Sequence, residues 1–316
     1  MGGVTMDTAA FERLESLAME PAAVERSVEY VTRQLKLFVK KEDRILICFP
    51  NKPGSLGEIL NRAVREVGVV PVHWGEDARW LSLIRTAFLN KITVVIGAPM
   101  VIMGLNKLSR VTRTPLYIRH AITAGHPCFD WILEGLIRGL DCRTWGYFNP
   151  GGKGVLCGQS CGESRGVHIR YEEYDIEIVD EDGNVLPEDQ VGEICIIPKS
   201  DPSLRVHTYD RARIDRSPCP CGRPAPRLVE MSEGRDCNPE LLHIAAELHK
   251  WESVLDARVQ RGEYGLELEL VVFPGLERPK LPNCAKMDVR NWDPERDEPF
   301  WFAPLWKTPV DSSEKD

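Results

Sequence analysis

Between Arg44 and Gly139 the chain alternates short apolar runs with segments of helical period, and this alternation restricts the fold more than any other feature. The runs Arg44–Phe49, Val69–Gly75, Ile92–Pro99 and Pro115–Gly125 are strand-like, and Ile92–Pro99 is apolar enough for a fully buried strand. Between them lie Leu56–Gly68, Ala78–Leu89, Met100–Val111 and Phe129–Gly139, which read as helices. An earlier helix is predicted over Ser27–Lys41, where Val28, Val31, Leu35, Phe38 and Val39 recur at helical spacing. Strands that alternate with helices imply an α/β layer with a largely parallel sheet.

After Asp141 the texture changes. The stretch TWGYFNPGGKG reads as a glycine-rich loop, with Gly151–Gly154 offering flexible backbone donors and one cation for an anionic ligand. The alternating runs VHIRYEEYDIEIVD and VGEICIIP follow, separated by a turn with an Asp-Gly signal, and predict an antiparallel β section. A third region opens near Gly234 with a helix from Pro239 to Ala257 and the strand YGLELELVVF. Its tail from Leu281 carries Trp292, Trp301 and Trp306 among prolines and charges, and is either a packed extension or a partner-binding segment. Residues 1–26 read as an N-terminal extension broken by Pro21. The 316 residues suit about two domains, and a hydrophobic fraction of 43% is enough for a buried core.

A net charge of −8 gives no global footprint for nucleic acid or an anionic membrane. No apolar run approaches the ~20 residues needed to span a bilayer. The first residues, MGGVTMDTAAFERLESL, have neither a basic nor an apolar signal region, so a soluble, cytoplasmic protein is expected.

Ten cysteines are the unusual count. Cys48, Cys128, Cys142, Cys195 and Cys284 sit in apolar or mixed stretches and read as small packing residues, while Cys237 is ambiguous. The others cluster in turn-rich sequence as Cys157 and Cys161, then Cys219 and Cys221, with His168 seven positions after Cys161. Zinc prefers four ligands drawn from thiolate and imidazole, and Cys161, His168, Cys219 and Cys221 would complete a Cys₃His site tying two loops together. Cys157 or His207 could replace one of the four, and a redox pair or unrelated free thiols would fit the same spacing.

Several landmarks between Arg119 and Asp236 follow a recognisable order: ITAGHP, TWGYFNPGG, the long segment from Cys161 through GEICI, LRVHTYDRARI, and SPCPCGRPAPRLVEMSEGRD. In that order they resemble the phenylacetate–CoA ligase branch of the adenylate-forming enzymes. The resemblance implies a truncated adenylate-forming core over 27–235, a mixed sheet with flanking helices plus an antiparallel β section. A reduced C-terminal α+β domain and Trp/Pro-rich tail would occupy 236–316. It implies that Gly125 and His126 border an adenine pocket, and that Trp145, Gly146 and Tyr147 form a loop over an acyl-AMP. Asp210 would accept hydrogen bonds from the ribose, and Arg235 would sit at the hinge to the C-terminal domain. It also supports a structural zinc on Cys161, His168, Cys219 and Cys221.

Three departures accompany the resemblance. The Ser/Thr/Gly-rich loop that cradles a triphosphate does not occur, and Gly54–Gly57 is too short to serve. The family's Mg²⁺-holding glutamate falls on Asn149, and hard cations favour carboxylates over amides. Lys307 is the only late lysine in an apolar setting that could stand for a catalytic lysine. The resemblance therefore implies either a noncanonical acyl-adenylate or acyl-CoA ligase relative, using ATP, Mg²⁺ and CoA on a small carboxylic acid, or an inactive zinc-braced module. Such a module would bind an acyl or nucleotide ligand, a protein partner or a second copy of itself.

Overall fold

The computed structural model describes residues 8–74, 79–125, 130–150, 154–163, 165–232 and 239–299. Two helices lead, α1 (Thr8–Ala18) and α2 (Pro21–Leu35). Pro21 starts α2 rather than only breaking what precedes it, because a proline's fixed φ and missing N–H suit the first helical turn. The helix expected over Ser27–Lys41 therefore begins at Pro21 and ends at Leu35, and the boundary drawn at residue 26 falls inside it.

The alternation then runs as β1 (Ile45–Ile47), α3 (Leu56–Glu66), β2 (Pro71–His73), α4 (Trp80–Leu89) and β3 (Val94–Gly97). It continues with α5 (Pro99–Thr112), β4 (His120–Thr123), α6 (Asp130–Leu140) and β5 (Arg143–Phe148). Gly54–Gly57 has a structural role: Ser55 caps α3 by accepting from the Glu58 amide, and Glu58 reaches back to accept from the Gly54 amide. The five strands are parallel in the order β2-β1-β3-β4-β5.

TWGYF is thus a strand, not the glycine-rich loop expected. Trp145 and Tyr147 alternate into one core while Gly146 keeps the backbone slim between them, its amide donating to Ser160 Oγ at 2.7 Å.

An antiparallel half completes the sheet, with β6 (Gly158–Gln159), β7 (Val167–Ile169), β8 (Tyr174–Val179), β9 (Gly192–Pro198), β10 (Val206–Asp215) and β11 (Arg227–Ser232). These extend β5 in the order β6-β7-β11-β10-β9-β8. The run VHIRYEEYDIEIVD divides into β7 and β8 at a turn, where the amides of Glu173 and Tyr174 both donate to the Arg170 carbonyl. The last unit holds α7 (Pro239–His249) and a three-stranded sheet of β12 (Val254–Gly262), β13 (Gly265–Val272) and β14 (Lys286–Asn291). Its helix stops at His249 rather than Ala257, because the alternating residues from Val254 onward pair with β13 instead.

Period-2 alternation divides the core. Ile45, Ile47, Val94, Ile96 and Ile122 face α2 and α3, while Leu46, Val95 and Ala121 face α4, α5 and α6. The second of these cores continues without a break into Leu241, Ala245, Leu248, Val254 and Phe273 of the C-terminal unit. A third core lies under α1 and the antiparallel strands. Among the described residues no helix is long and apolar enough to cross a membrane.

Candidate metal centre and ligand site

The central position of β7 explains how distant cysteines meet. It pairs with β6 on one side, placing Gln159 opposite His168, and with β11 on the other, placing Arg227 opposite His168. The loop leaving β6 carries Cys161, and the turn between β10 and β11 carries Cys219 and Cys221, so both converge on His168. Gly166 allows this close approach: its φ is +94°, and a Cβ there would stand 2.4 Å from the Leu228 carbonyl oxygen.

The donor atoms of Cys161, His168, Cys219 and Cys221 all lie within 4.8 Å of one another. Cys161 Sγ and Cys219 Sγ are 3.6 Å apart, and Cys221 Sγ is 3.3 Å from His168 Nε2. Tetrahedral zinc at normal bond lengths needs separations of roughly 3.5–3.8 Å between such donors. His168 Nδ1 lies 2.8 Å from the Ala225 carbonyl, and donating its proton there leaves the Nε2 lone pair turned toward the thiols. Burial and the neighbouring Cys219 and Cys161 thiols push the Cys221 thiol up to about 11. Three crowded sulfurs with this donor geometry suit a divalent cation that would stabilise their thiolates.

The alternative ligands stand elsewhere. Cys157 is packed in the core under α1, with burial raising its thiol, and His207 lies 3.5 Å from the Glu193 carboxylate. Cys48, Cys142 and Cys195 are buried and Cys284 half-buried, as packing residues should be, whereas Cys128 and Cys237 lie outside the described residues.

The positions carried over for a nucleotide are gathered only in part. Thr123 and Gly146 are partners across β4 and β5, so Gly125 and the segment Trp145–Tyr147 share the carboxyl ends of adjacent strands. This is where ligands bind in open parallel sheets. Gly125 has a φ of +80° and lies against Phe49, the residue that follows β1 and Cys48. Trp145 already carries a stacked partner: the Phe38 ring lies 4.5 Å away at 14°, and the indole N–H donates to His120 Nδ1 at 3.4 Å. Asp210 stands four strands from β5, within a stretch of β10 where the pairing register shifts against β9. Such bulges re-aim side chains. His126, Arg235, Lys307 and Gly151–Lys153 lie outside the described residues.

Asn149 uses its amide nitrogen to donate to the Val155 carbonyl at 2.6 Å, while its oxygen is buried without a partner among the described residues. The Tyr147 hydroxyl is likewise buried and unpartnered, and burial raises its pKa far above the usual phenol value. Sequence reasoning missed Gln159, which is 0% exposed with neither amide atom hydrogen-bonded among the described residues. Its two-residue strand sits between turn-rich segments and carries no periodic signal.

No family model matches the chain. Among solved structures, 2-hydroxyisobutyryl-CoA ligase in its postadenylation state with R3-HIB-AMP superposes with a TM-score of 0.68 at 13% identity, over 93% of this chain and 71% of that one. With 2-HIB-AMP the same enzyme gives 0.64 at 14% identity, over 80% and 59%. A benzoate CoA ligase from Burkholderia xenovorans gives 0.55 at 13%, over 84% and 61%. The mitochondrial acyl-coenzyme A synthetase ACSM4 of Mus musculus is 30% identical over 115 residues, which are 35% of this chain and 20% of that protein. The chain therefore has the fold of adenylate-forming acyl-CoA ligases and spans about a fifth of that relative's length.

Proposed function

We propose that the chain is a noncanonical relative of AMP-forming acid–CoA ligases, of the phenylacetate–CoA ligase branch, braced by one structural zinc on Cys161, His168, Cys219 and Cys221. The observation that carries this function is the placement of Gly125 and Trp145–Tyr147 at adjacent strand ends within a sheet of the adenylate-forming type. In the proposed reaction an oxygen of a small carboxylate attacks the α-phosphorus of ATP, and the bond to the β-phosphate breaks, releasing pyrophosphate. The CoA thiol then attacks the acyl carbon and AMP leaves, giving the thioester. The zinc takes no part in either step; it holds the β6–β7 and β10–β11 loops against the sheet.

A second function is favoured by two observations. Asn149 is a neutral amide where the family has a carboxylate, and Mg²⁺ favours carboxylate ligands. Phe38 covers one face of Trp145, which a stacked purine would need to share or displace. Both suit a zinc-braced protein that binds an acyl group or nucleotide without turnover.

ATP–pyrophosphate exchange across a panel of aryl and short-chain acids separates the two. Exchange dependent on one acid supports the ligase, and its loss on Asp210→Ala would place the ribose contact there. A folded, zinc-loaded preparation with no exchange for any acid, yet with calorimetric binding of AMP or CoA, would leave the binding function standing.

A further inference from the structure

We infer that the amino-end edge of the parallel sheet is a docking surface for an anionic membrane, met peripherally by a line of cations and a set of bare apolar side chains. The five parallel strands are entered by linkers at residues 36–44, 67–70, 90–93, 113–119 and 141–142. Together with Arg143, which opens β5, these linkers hold eight of the chain's 40 lysines and arginines but three of its 48 acidic residues. The net charge of −8 thus conceals a local excess of the opposite sign.

Backbone pairing aligns the cations. The Thr93 amide donates to the Arg44 carbonyl at 3.0 Å, the Arg119 amide to the Thr93 carbonyl at 2.7 Å, and the Arg143 amide to the Arg119 carbonyl at 3.0 Å. Arg44, Arg119 and Arg143 therefore stand in one line across β1, β3, β4 and β5, about 14 Å long at the usual strand spacing. Of the eight cations, Arg119 pairs with the buried Asp43. The other seven are exposed, and none makes an ion pair among the described residues. Along β10 and its flanks, by contrast, Arg205, Arg213 and Arg216 are neutralised by Glu177, Glu230 and Glu188. A cation at a helix C-terminus complements the helix dipole, which accounts for Lys36, Lys91 and Arg113. It does not account for Lys40, Lys41 and Arg44, which lie five or more residues past α2, or for Arg143.

The same linkers bare Leu37, Val70 and Tyr117, at 62%, 75% and 50% exposure, and Leu89, which ends α4 just before one of them, is 73% exposed. Cations beside exposed apolar side chains match a bilayer surface. Anionic headgroups meet the charge, and the boundary between headgroups and acyl chains accepts the apolar groups. Nucleic acid would also use the cations, but its bases stack on aromatic platforms, and three of these four side chains are aliphatic. Screening makes the local sign decisive. Charges more than about 8–10 Å away are damped at physiological salt, so a bilayer at this edge meets the cations rather than the net charge. Such a contact needs no spanning helix. The ligand site proposed above sits at the carboxyl ends of these strands, so the surface does not depend on it.

Co-sedimentation of the full, zinc-loaded chain with two kinds of vesicle tests the inference: phosphatidylcholine alone, and three parts phosphatidylcholine to one of phosphatidylserine. Binding should require phosphatidylserine and weaken as salt rises. Lys40→Gln/Lys41→Gln/Arg143→Gln should weaken it about a hundredfold, at about fivefold for each cation near the surface. Lys36→Gln/Lys91→Gln serves if that variant does not fold, with an expected loss of about twenty-five-fold. Val70→Ser/Leu89→Ser should weaken binding about tenfold and leave its salt dependence unchanged. No binding to phosphatidylserine vesicles, equal binding to both kinds, or undiminished binding by the charge variants overturns the inference. Undiminished binding by the apolar variant would reduce the edge to a non-specific cation patch, and overturns it as well. Retention of an RNA or DNA oligonucleotide by a chain that ignores the vesicles would assign the edge to nucleic acid instead.

Discussion

At the scale of single residues, the Cys₃His cluster depends on a few atoms that cannot be exchanged. His168 presents Nε2 to the sulfurs because Nδ1 is committed to the Ala225 carbonyl, and a divalent cation bound there would stabilise the three thiols as thiolates. Cys219→Ser should reduce bound zinc well below the parent's, which is expected near one per chain. It should cost about 2–5 kcal/mol, in the range of losing another cross-link between distant loops. Metal analysis with thermal melting reads both, and a metal-free parent of unchanged stability would remove the zinc. Gly166 offers a test that touches no ligand. Alanine there must adopt a φ of +94° with its Cβ pressed against the Leu228 carbonyl, costing about 1–3 kcal/mol in denaturant titration. Because Gly166 precedes His168 on the way into β7, Gly166→Ala should weaken metal retention as well.

At the scale of elements, the C-terminus of α7 is held by a side chain from α5. Lys107 is buried, and its ammonium donates to the carbonyls of His249, Trp251 and Val254 at 2.8, 3.2 and 2.6 Å. Those are the orphan acceptors that a helix end and the following turn leave behind, and a cation there also meets the negative end of the helix dipole. Lys107→Met should destabilise by about 3 kcal/mol, since three buried acceptors lose their donor. Burial pulls the Lys107 pKa from 10.5 to about 7, with the Arg110 charge adding to that and Glu252 and Asp256 opposing it. The unfolded chain therefore holds a proton that the folded one releases across this interval. The contribution is fully present above 10.5 and is lost as pH falls toward 7. Parent stability should rise with pH over that window relative to Lys107→Met, as read by denaturant titrations at several pH values. A flat difference would show that the three carbonyls keep the ammonium charged throughout. None of this was legible in sequence, where Lys107 is one charge in an otherwise amphipathic run. The alternation of β1 to β4 with their helices was legible because hydrophobic period is a local property, and the cluster was legible because metal ligands are few and chemically distinctive. TWGYF and the end of α7 were not, since strand partners and a capping lysine from another element decided them. Gln159 was hidden for the same reason, its isolation being a property of what surrounds it.

At the scale of the whole molecule, the C-terminal unit is continuous with the parallel half of the sheet. One apolar core holds Val101, Leu105 and Leu108 of α5 together with Leu241, Leu248, Val254, Leu270 and Phe273. Polar contacts tie the same boundary: the Trp80 amide donates to the Asp297 carbonyl at 3.0 Å, Arg79 Nη1 to the Glu295 carbonyl at 2.9 Å, and Arg110 pairs with Glu252 at 2.6 Å. The exposed ion pair adds at most about 1 kcal/mol, whereas each large side chain buried there is worth about 1.5–3 kcal/mol. A domain's whole stability is about 5–15 kcal/mol, so a few such side chains decide whether the two parts can come apart. This geometry argues for one cooperative unit rather than a core with a separately folding appendage. The full chain should unfold in a single transition, with far-ultraviolet circular dichroism and intrinsic tryptophan fluorescence changing together. A chain ending at Ser232 should bare the α5 side of that core, bind a hydrophobic dye and lose its sharp melt. Two resolved transitions in the full chain, or a shortened chain that melts as sharply and as high, would mean that the shared core contributes little. Trp80, which a Cβ on Gly104 would meet at 2.1 Å, gives a finer measure at the same boundary. Gly104→Ala should push the indole off α5, lowering the melting temperature while leaving the Cys₃His cluster, on the far half of the sheet, with its full complement of metal.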